Sequence, residues 1–214
     1  MEEYFTILND ETAEITEKKS KFIANIYYIE TIQDAEEKIK NIKKKYYDAK
    51  HHCIAYRVIE NGIIIEKSSD DGEPSGTAGA PMLNILQKNN LCNVIIIVTR
   101  YFGGILLGTG GLVRAYSEAT QMVIEKIVLV KKILGEEAQI KLDYSNLDIF
   151  KYYCKNNDIK IKNIEYLDDI ILTIEMEKNR KISFEKNLDT KSVKIKQLQW
   201  IKTKYISKTV EKNK

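Results

Sequence analysis

The stretch Val98-Thr99-Arg100-Tyr101-Phe102-Gly103-Gly104-Ile105-Leu106-Leu107-Gly108-Thr109-Gly110-Gly111-Leu112-Val113-Arg114 reads as a buried strand, a glycine-rich turn and the start of a helix. Glycines let backbone N–H groups face outward, and a helix N-terminus carries partial positive charge, so the arrangement suits an anion such as phosphate. Arg100 and Arg114 would add bidentate donors beside Gly103, Gly104, Gly108, Thr109, Gly110 and Gly111. Exposed bases would stack on Tyr101 or Phe102. Familiar nucleotide motifs do not match: no Gly-Lys-Ser/Thr follows the glycines, and Gly108-x-Gly110-x-x-Val113 misses the third small residue of the dinucleotide fingerprint. The alternative for the same glycines is conformational, allowing positive φ and close packing where strand meets helix.

Two further groups carry reactive side chains. Asp70, Asp71 and Glu73 place three carboxylates within four residues, which would suit a hard cation such as Mg²⁺, though the spacing is not that of an EF-hand. A capped, solvated turn explains the same residues without a metal and is preferred, so no resident cofactor is expected. His51-His52-Cys53 holds both histidines of the chain. Strand alternation puts His51 and Cys53 on one face and His52 on the other. No second Cys/His cluster exists to complete a zinc site. A Cys53 nucleophile is disfavoured, since residues two apart on a strand sit about 7 Å from each other. A histidine lining one pocket with Asp70 and Arg100 fits better.

The elements that must hold these groups follow from pattern. Lys21–Ile29 reads as a strand, and Thr31 followed by Asp34 opens a helix with a capping-box-like signal that runs to about Tyr46. His52–Ile59, the turn Asn61-Gly62 and Ile63–Ile65 form a hairpin. Pro81 opens a short helix, Val94–Thr99 is a central strand buried on both faces, and a long helix follows Gly111. Beyond it, Gln139–Tyr144, a helix capped by Ser145, Ile159–Tyr166, Ile170–Met176, a helical Lys178–Leu188 and Val193–Ile201 give the order β-α-β-β-α-β of a ferredoxin-like domain.

Nine of the ten glycines lie between Gly62 and Gly111, and Gly135 stands alone, where a helix cap or linker is expected. Residues 136–214 carry 17 basic and 13 acidic side chains, a net +4, which leaves residues 1–135 at −1. The expected division is therefore residues 1–134, a ferredoxin-like domain over 135–201 and a basic tail over 202–214. The whole chain of 214 residues has a net charge of only +3 and 43% apolar residues, an ordinary globular composition with no broad electrostatic face for nucleic acid. Three cysteines, an odd number, widely spaced and with no CxxC pair, argue for a reducing compartment. No apolar run reaches the roughly 20 residues of a membrane span and the first residues lack a signal-peptide pattern, so a cytoplasmic protein with no membrane association is expected.

The string Ser69-Asp70-Asp71-Gly72-Glu73-Pro74-Ser75-Gly76-Thr77-Ala78-Gly79, with Arg100–Gly104 and Leu107–Tyr116, closely resembles the YigZ/Impact family, specifically its bacterial YigZ-type members. Lys18-Lys19-Ser20-Lys21-Phe22-Ile23 and Asp48-Ala49-Lys50-His51-His52-Cys53 belong to the same likeness, which covers residues 15–120 densely. The resemblance implies an α+β protein of two domains. The first would resemble the second domain of the fifth small-subunit ribosomal protein, and the second a ferredoxin-like domain of elongation factor G. Eukaryotic Impact proteins regulate translation by interfering with an initiation-factor kinase; their extra N-terminal partner-binding domain is not expected here, so that specific role is not carried over. The expectation is a non-enzymatic regulator of translation that binds RNA or the ribosome. It would do so through a phosphate-binding groove floored by Gly103–Gly111 and flanked by Arg100, Arg114, His51 and His52. The alternatives are a Mg²⁺-dependent enzyme acting on a small phosphorylated compound, and a protein-interaction module whose second domain supplies the partner surface.

Overall fold

The computed structural model describes residues 3–190 and 194–208. It is an α+β protein of two compact units, Glu3–Lys131 and Lys132–Lys208. The first contains β1 (Glu3–Ile7), β2 (Glu11–Glu17), β3 (Ser20–Tyr28), α1 (Ile32–Lys45), β4 (His51–Glu60), β5 (Ile63–Ser69), α2 (Gly79–Lys88), β6 (Val94–Tyr101) and α3 (Gly108–Lys126). Five of these strands form a sheet in the order β2-β3-β6-β4-β5, antiparallel throughout. The chain leaves this unit along β7 (Leu129–Leu142).

Helices cover both faces of that sheet. Val94, Ile96 and Val98 of β6 pack with Phe22, Ala24, Cys53 and Ala55 under Leu112, Tyr116, Ala119 and Val123 of α3 and Met82 and Leu86 of α2. Ile95 and Ile97 face the other way, toward Ile54, Tyr56 and Val58 and the Ala35–Ile42 face of α1. The unbroken apolar run of β6 is thus that of a strand buried on both sides. Thr31 and Asp34 form the expected reciprocal capping box at the start of α1. Asn61 and Gly62 both take positive φ, the conformation that a two-residue hairpin needs.

Several boundaries differ from expectation. β1 and β2, at Glu3–Ile7 and Glu11–Glu17, precede the first strand that the sequence pattern predicts. Pro81 is the third residue of α2, not its first. The long helix begins at Gly108, so Gly110 and Gly111 lie in its first turn rather than in the preceding loop. Gly135 is neither cap nor linker; it lies inside β7, where an added Cβ would come within 2.7 Å of the Ile206 side chain.

The second unit continues through α4 (Leu147–Asn156), β8 (Lys160–Tyr166), β9 (Ile170–Glu177), α5 (Lys181–Thr190) and β10 (Gln197–Lys208). Its sheet runs β8-β9-β7, with β10 also on β7, the arrangement of a split βαβ domain. Asn146, not Ser145, is the cap position of α4. The last strand starts four residues later than expected and absorbs residues 202–208, which are therefore not a frayed tail. Lys202, Lys204 and Lys208 reach Glu137, Glu175 and Glu177, opposite-charge pairs that hold a lysine-rich strand in place. Val193 and residues 209–214 of the expected tail lie outside the described residues.

Candidate functional site

Alternation along three neighbouring strands brings Ser20, His51 and Arg100 to one face at one end of the first sheet. Arg100 pairs across the sheet with His51 on one side and Phe22 on the other. Cys53 and Val98, two residues further in, belong to the core beneath α3, so His51 and Arg100 face the same layer. The loop between β5 and α2 folds over them and inserts Glu73.

Arg100 is 5% exposed and is committed within the protein. Its Nη1 donates to Glu73 Oε1 at 2.7 Å, and its Nη2 donates to Ser20 Oγ at 3.3 Å. The Tyr116 hydroxyl donates to the same Glu73 oxygen at 2.9 Å. Arg100 Nε is buried without a hydrogen-bond partner, while the guanidinium lies 5.4 Å from the ring centroids of both Phe22 and Phe102. The two π faces compensate part of that lost bond. Burial pushes the Tyr116 hydroxyl far above its ordinary pKa, with Cys53 and Glu73 adding to the shift, so it stays a donor.

The other two acidic residues organise the loop. Asp70 accepts from the backbone N–H groups of Gly76, Ala78 and Gly79 at 2.8–3.0 Å. Burial opposes its charge, but these three donors outweigh burial and hold its pKa below the ordinary value. Asp71 accepts from Lys43 Nζ at 2.9 Å and from the His52 N–H at 2.7 Å, and its pKa is likewise lowered against burial. The three carboxylates therefore face three different sets of partners. Among the described residues no group of three His, Cys, Asp or Glu side chains is placed to share a metal ion.

A cleft of about 400 Å³ opens beside this network. Of the expected site residues, Arg100, His51, Glu73, Gly108 and Thr109 line it; Lys50, Gly72, Pro74, Phe102, Leu106, Leu107 and Leu112 complete it. His51 Nδ1 lies 2.9 Å from the Asp71 carbonyl oxygen, and the ring packs 3.5 Å from where a Cβ on Gly72 would be. Gly108 opens α3 at φ +71°, a conformation that glycine adopts without strain. Leu107 caps that helix with no side-chain hydrogen bond, so its first N–H groups remain available at the cleft.

The groove expected along Gly103–Gly111 is not what the structure builds. Gly103 lies against the Lys19 backbone, where an added Cβ would sit 2.1 Å from a main-chain atom, and Gly111 packs on Leu107. Neither they nor Gly104 and Gly110 line the cleft. The Tyr101 hydroxyl donates to Asp48 at 2.7 Å, a bond that pushes its pKa up to about 12. His52 is buried against the Tyr46 carbonyl, and burial lowers its pKa. Arg114 is exposed on α3, outside the cleft. Cys53 donates to the Asp70 carbonyl at 3.0 Å, and burial pushes its thiol up to about 12, which removes it as a nucleophile. Lys50 and Leu106 were not singled out from the sequence, although Lys50 directly precedes His51 in the string that carries the resemblance.

Other lysines gather at this end of the sheet. Lys18 and Lys19 form the turn between β2 and β3, both at positive φ and both exposed, and the Lys19 backbone touches Gly103. Lys44 and Lys45 end α1 on its exposed side.

These features define a two-domain α+β protein whose first domain carries a half-apolar cleft at the open N-terminus of a long helix. Residues 18–124 match the model of the Impact N-terminal domain, and residues 140–192 match a domain of unknown function, DUF1949. The IMPACT family member YvyE of Bacillus subtilis (strain 168) is 40% identical over 167 residues, covering 78% of this chain and 76% of its own. YigZ of Escherichia coli (strain K12), also described as an IMPACT family member, is 33% identical over 158 residues, covering 73% and 78%. A solved structure described as the crystal structure of an hypothetical protein superposes with a TM-score of 0.61 at 30% identity, covering 94% of this chain and 98% of its own. The chain belongs to the IMPACT family. Among the described residues no helix is long and apolar enough to cross a membrane.

Proposed function

We propose that this protein is a non-enzymatic regulator of translation that binds RNA, on or off the ribosome, through the cleft end of its first domain. One observation carries the proposal: the uncapped start of α3 opens on a cleft whose rim bears Lys50, with Lys18 and Lys19 at the neighbouring turn. Helix N-terminal N–H groups and lysines are what phosphates are held by, and they position a nucleic acid without reading its sequence. The half-exposed Phe102 ring supplies a surface on which a base stacks. The link to translation comes from the resemblance to the family whose eukaryotic members regulate it. Asp70, Asp71 and Glu73 each bind protein groups, which favours this reading over the Mg²⁺-dependent alternative.

Arg100 is not the residue with which to test this, because its loss would strip a buried carboxylate of its partner. The test is co-sedimentation of the purified protein with ribosomes, and separately with free structured RNA, over a salt series. Wild type is compared with Lys50→Gln and with the double variant Lys18→Gln/Lys19→Gln. Salt-sensitive binding that both variants weaken is the expected result. Absence of binding at low salt would remove the proposal.

A further inference from the structure

The cleft has a capacity and a two-sided lining that sequence-independent contact with an RNA backbone does not require. Its volume of about 400 Å³ lies within the roughly 300–1,000 Å³ of small-molecule sites. Phe102 and Leu106 form an apolar wall that stays 50% and 83% exposed. The opposite wall is polar. His51 there is only 8% exposed, and a carbonyl oxygen can only accept, so its contact with the Asp71 carbonyl places a proton on Nδ1. Its other nitrogen, Nε2, has no hydrogen bond among the described residues, and Glu73 Oε1 stands 4.0 Å away. A side chain nine-tenths buried, with one nitrogen anchored and the other unsatisfied in a cleft, is completed by a solvent or ligand atom. Gly108 and Thr109, in the uncapped first turn of α3, and Lys50 line the same cleft.

We propose that this cleft is a subsite for one terminal ribonucleotide carrying a phosphomonoester. The phosphate sits on the first N–H groups of α3 and on Lys50, the base lies against Phe102 and Leu106, and His51 Nε2 hydrogen-bonds the sugar–phosphate. A monoester presents three free oxygens to converging donors, where a diester in a continuing strand presents two. The proposal rests on the RNA-binding reading above and names the part of the RNA that enters the cleft.

The experiment is calorimetric titration of the full chain with 5′-AMP, 3′-AMP, adenosine and inorganic phosphate. It is repeated with single-stranded RNA hexamers bearing a 5′-phosphate, a 3′-phosphate or only hydroxyl ends. At least one of the two nucleotides should bind about tenfold or more tightly than adenosine and than inorganic phosphate, since the charged and stacking contacts are then made together. Hexamers phosphorylated at the corresponding end should outbind hydroxyl-ended ones. Phe102→Ala should weaken nucleotide binding by roughly fivefold to a hundredfold, the usual loss of one stacking partner. His51→Asn, which retains an amide donor for the Asp71 carbonyl and lacks Nε2, should weaken it as well, with circular dichroism confirming the fold. Because Phe102 is half exposed, its variant keeps the test decisive even if His51→Asn fails to fold. Nucleotide and nucleoside binding equally, no binding of either nucleotide at millimolar concentration, or indifference to Phe102→Ala would each overturn the subsite. RNA binding that persists regardless of end phosphate overturns the subsite and spares the RNA reading. Nucleotides bound tightly without any RNA binding would do the reverse.

Discussion

Arg100 shows how residue type and residue role separate. On the sequence it is a free guanidinium beside glycines, and phosphate is its natural partner. In the fold it meets Glu73, 27 residues away, and the pair is buried with Tyr116 on the same carboxylate oxygen. Nothing in local spacing shows such a contact, because Glu73 reaches Arg100 only once Asp70 has wound its loop around three N–H groups. Arg100→Ala is therefore expected to cost about 3–5 kcal/mol in urea unfolding, the penalty for stranding a buried charge. Arg100→Met combined with Glu73→Gln should recover much of that loss. Asp70 yields a second prediction. Its folded pKa lies below the ordinary value of about 3.9, so its stabilisation is fully present above that value and is lost as pH falls through the folded pKa. Asp70→Asn should destabilise by about 1.5–3 kcal/mol at neutral pH. The gap from wild type should narrow as pH falls through the lowered folded pKa, and a gap that stayed constant with pH would show that the carboxylate charge is not what holds the loop.

Among the elements, legibility followed the range of the interactions involved. The capping box of α1, the Asn61-Gly62 hairpin and the two-sided β6 are local signals, and all three stand as read. β10 does not: its lysines look like a solvated tail until Glu137, Glu175 and Glu177, distant in sequence on β7 and β9, are set beside them. The glycines divide in the same way. Gly103 is required by the Lys19 backbone, Gly104 by its φ of +82°, and Gly110 by neither, since the nearest atom to an added Cβ is a flexible Arg114 nitrogen at 3.7 Å. Thermal unfolding of three alanine variants should separate these causes. Gly103→Ala should lose the most, at least the roughly 1–3 kcal/mol of overpacking. Gly104→Ala should lose about 1 kcal/mol, the cost of a side chain held at left-handed φ. Gly110→Ala should gain about 0.5–1 kcal/mol from helix propensity. Equal losses at all three would mean that close backbone approach is not the reason for Gly103.

At the scale of the whole molecule, charge is the property that the sequence showed most directly, and it limits the kind of nucleic-acid binding that the proposal can mean. Residues 1–135 carry a net charge of −1 although the cleft end displays Lys18, Lys19 and Lys50. Acidic side chains elsewhere on that domain cancel a long-range field but not a contact, because screening confines exposed charges to about 8 Å at physiological ionic strength. On the RNA-binding proposal, the protein would make a few local phosphate contacts rather than wrap a duplex. That distinction is measurable as a slope. Each phosphate neutralised on a single strand contributes about −0.7 to the dependence of log K on log salt. A cluster of this size should give a total slope of roughly −1.5 to −3, far shallower than the value near −10 of an extensive DNA-binding face. Lys50→Gln should make it shallower by about 0.7, whereas Lys88→Gln, at an exposed position in the last turn of α2, should leave it unchanged. A slope steeper than about −5 would place most phosphate contacts away from the cleft end, on a surface with more lysines than this one supplies.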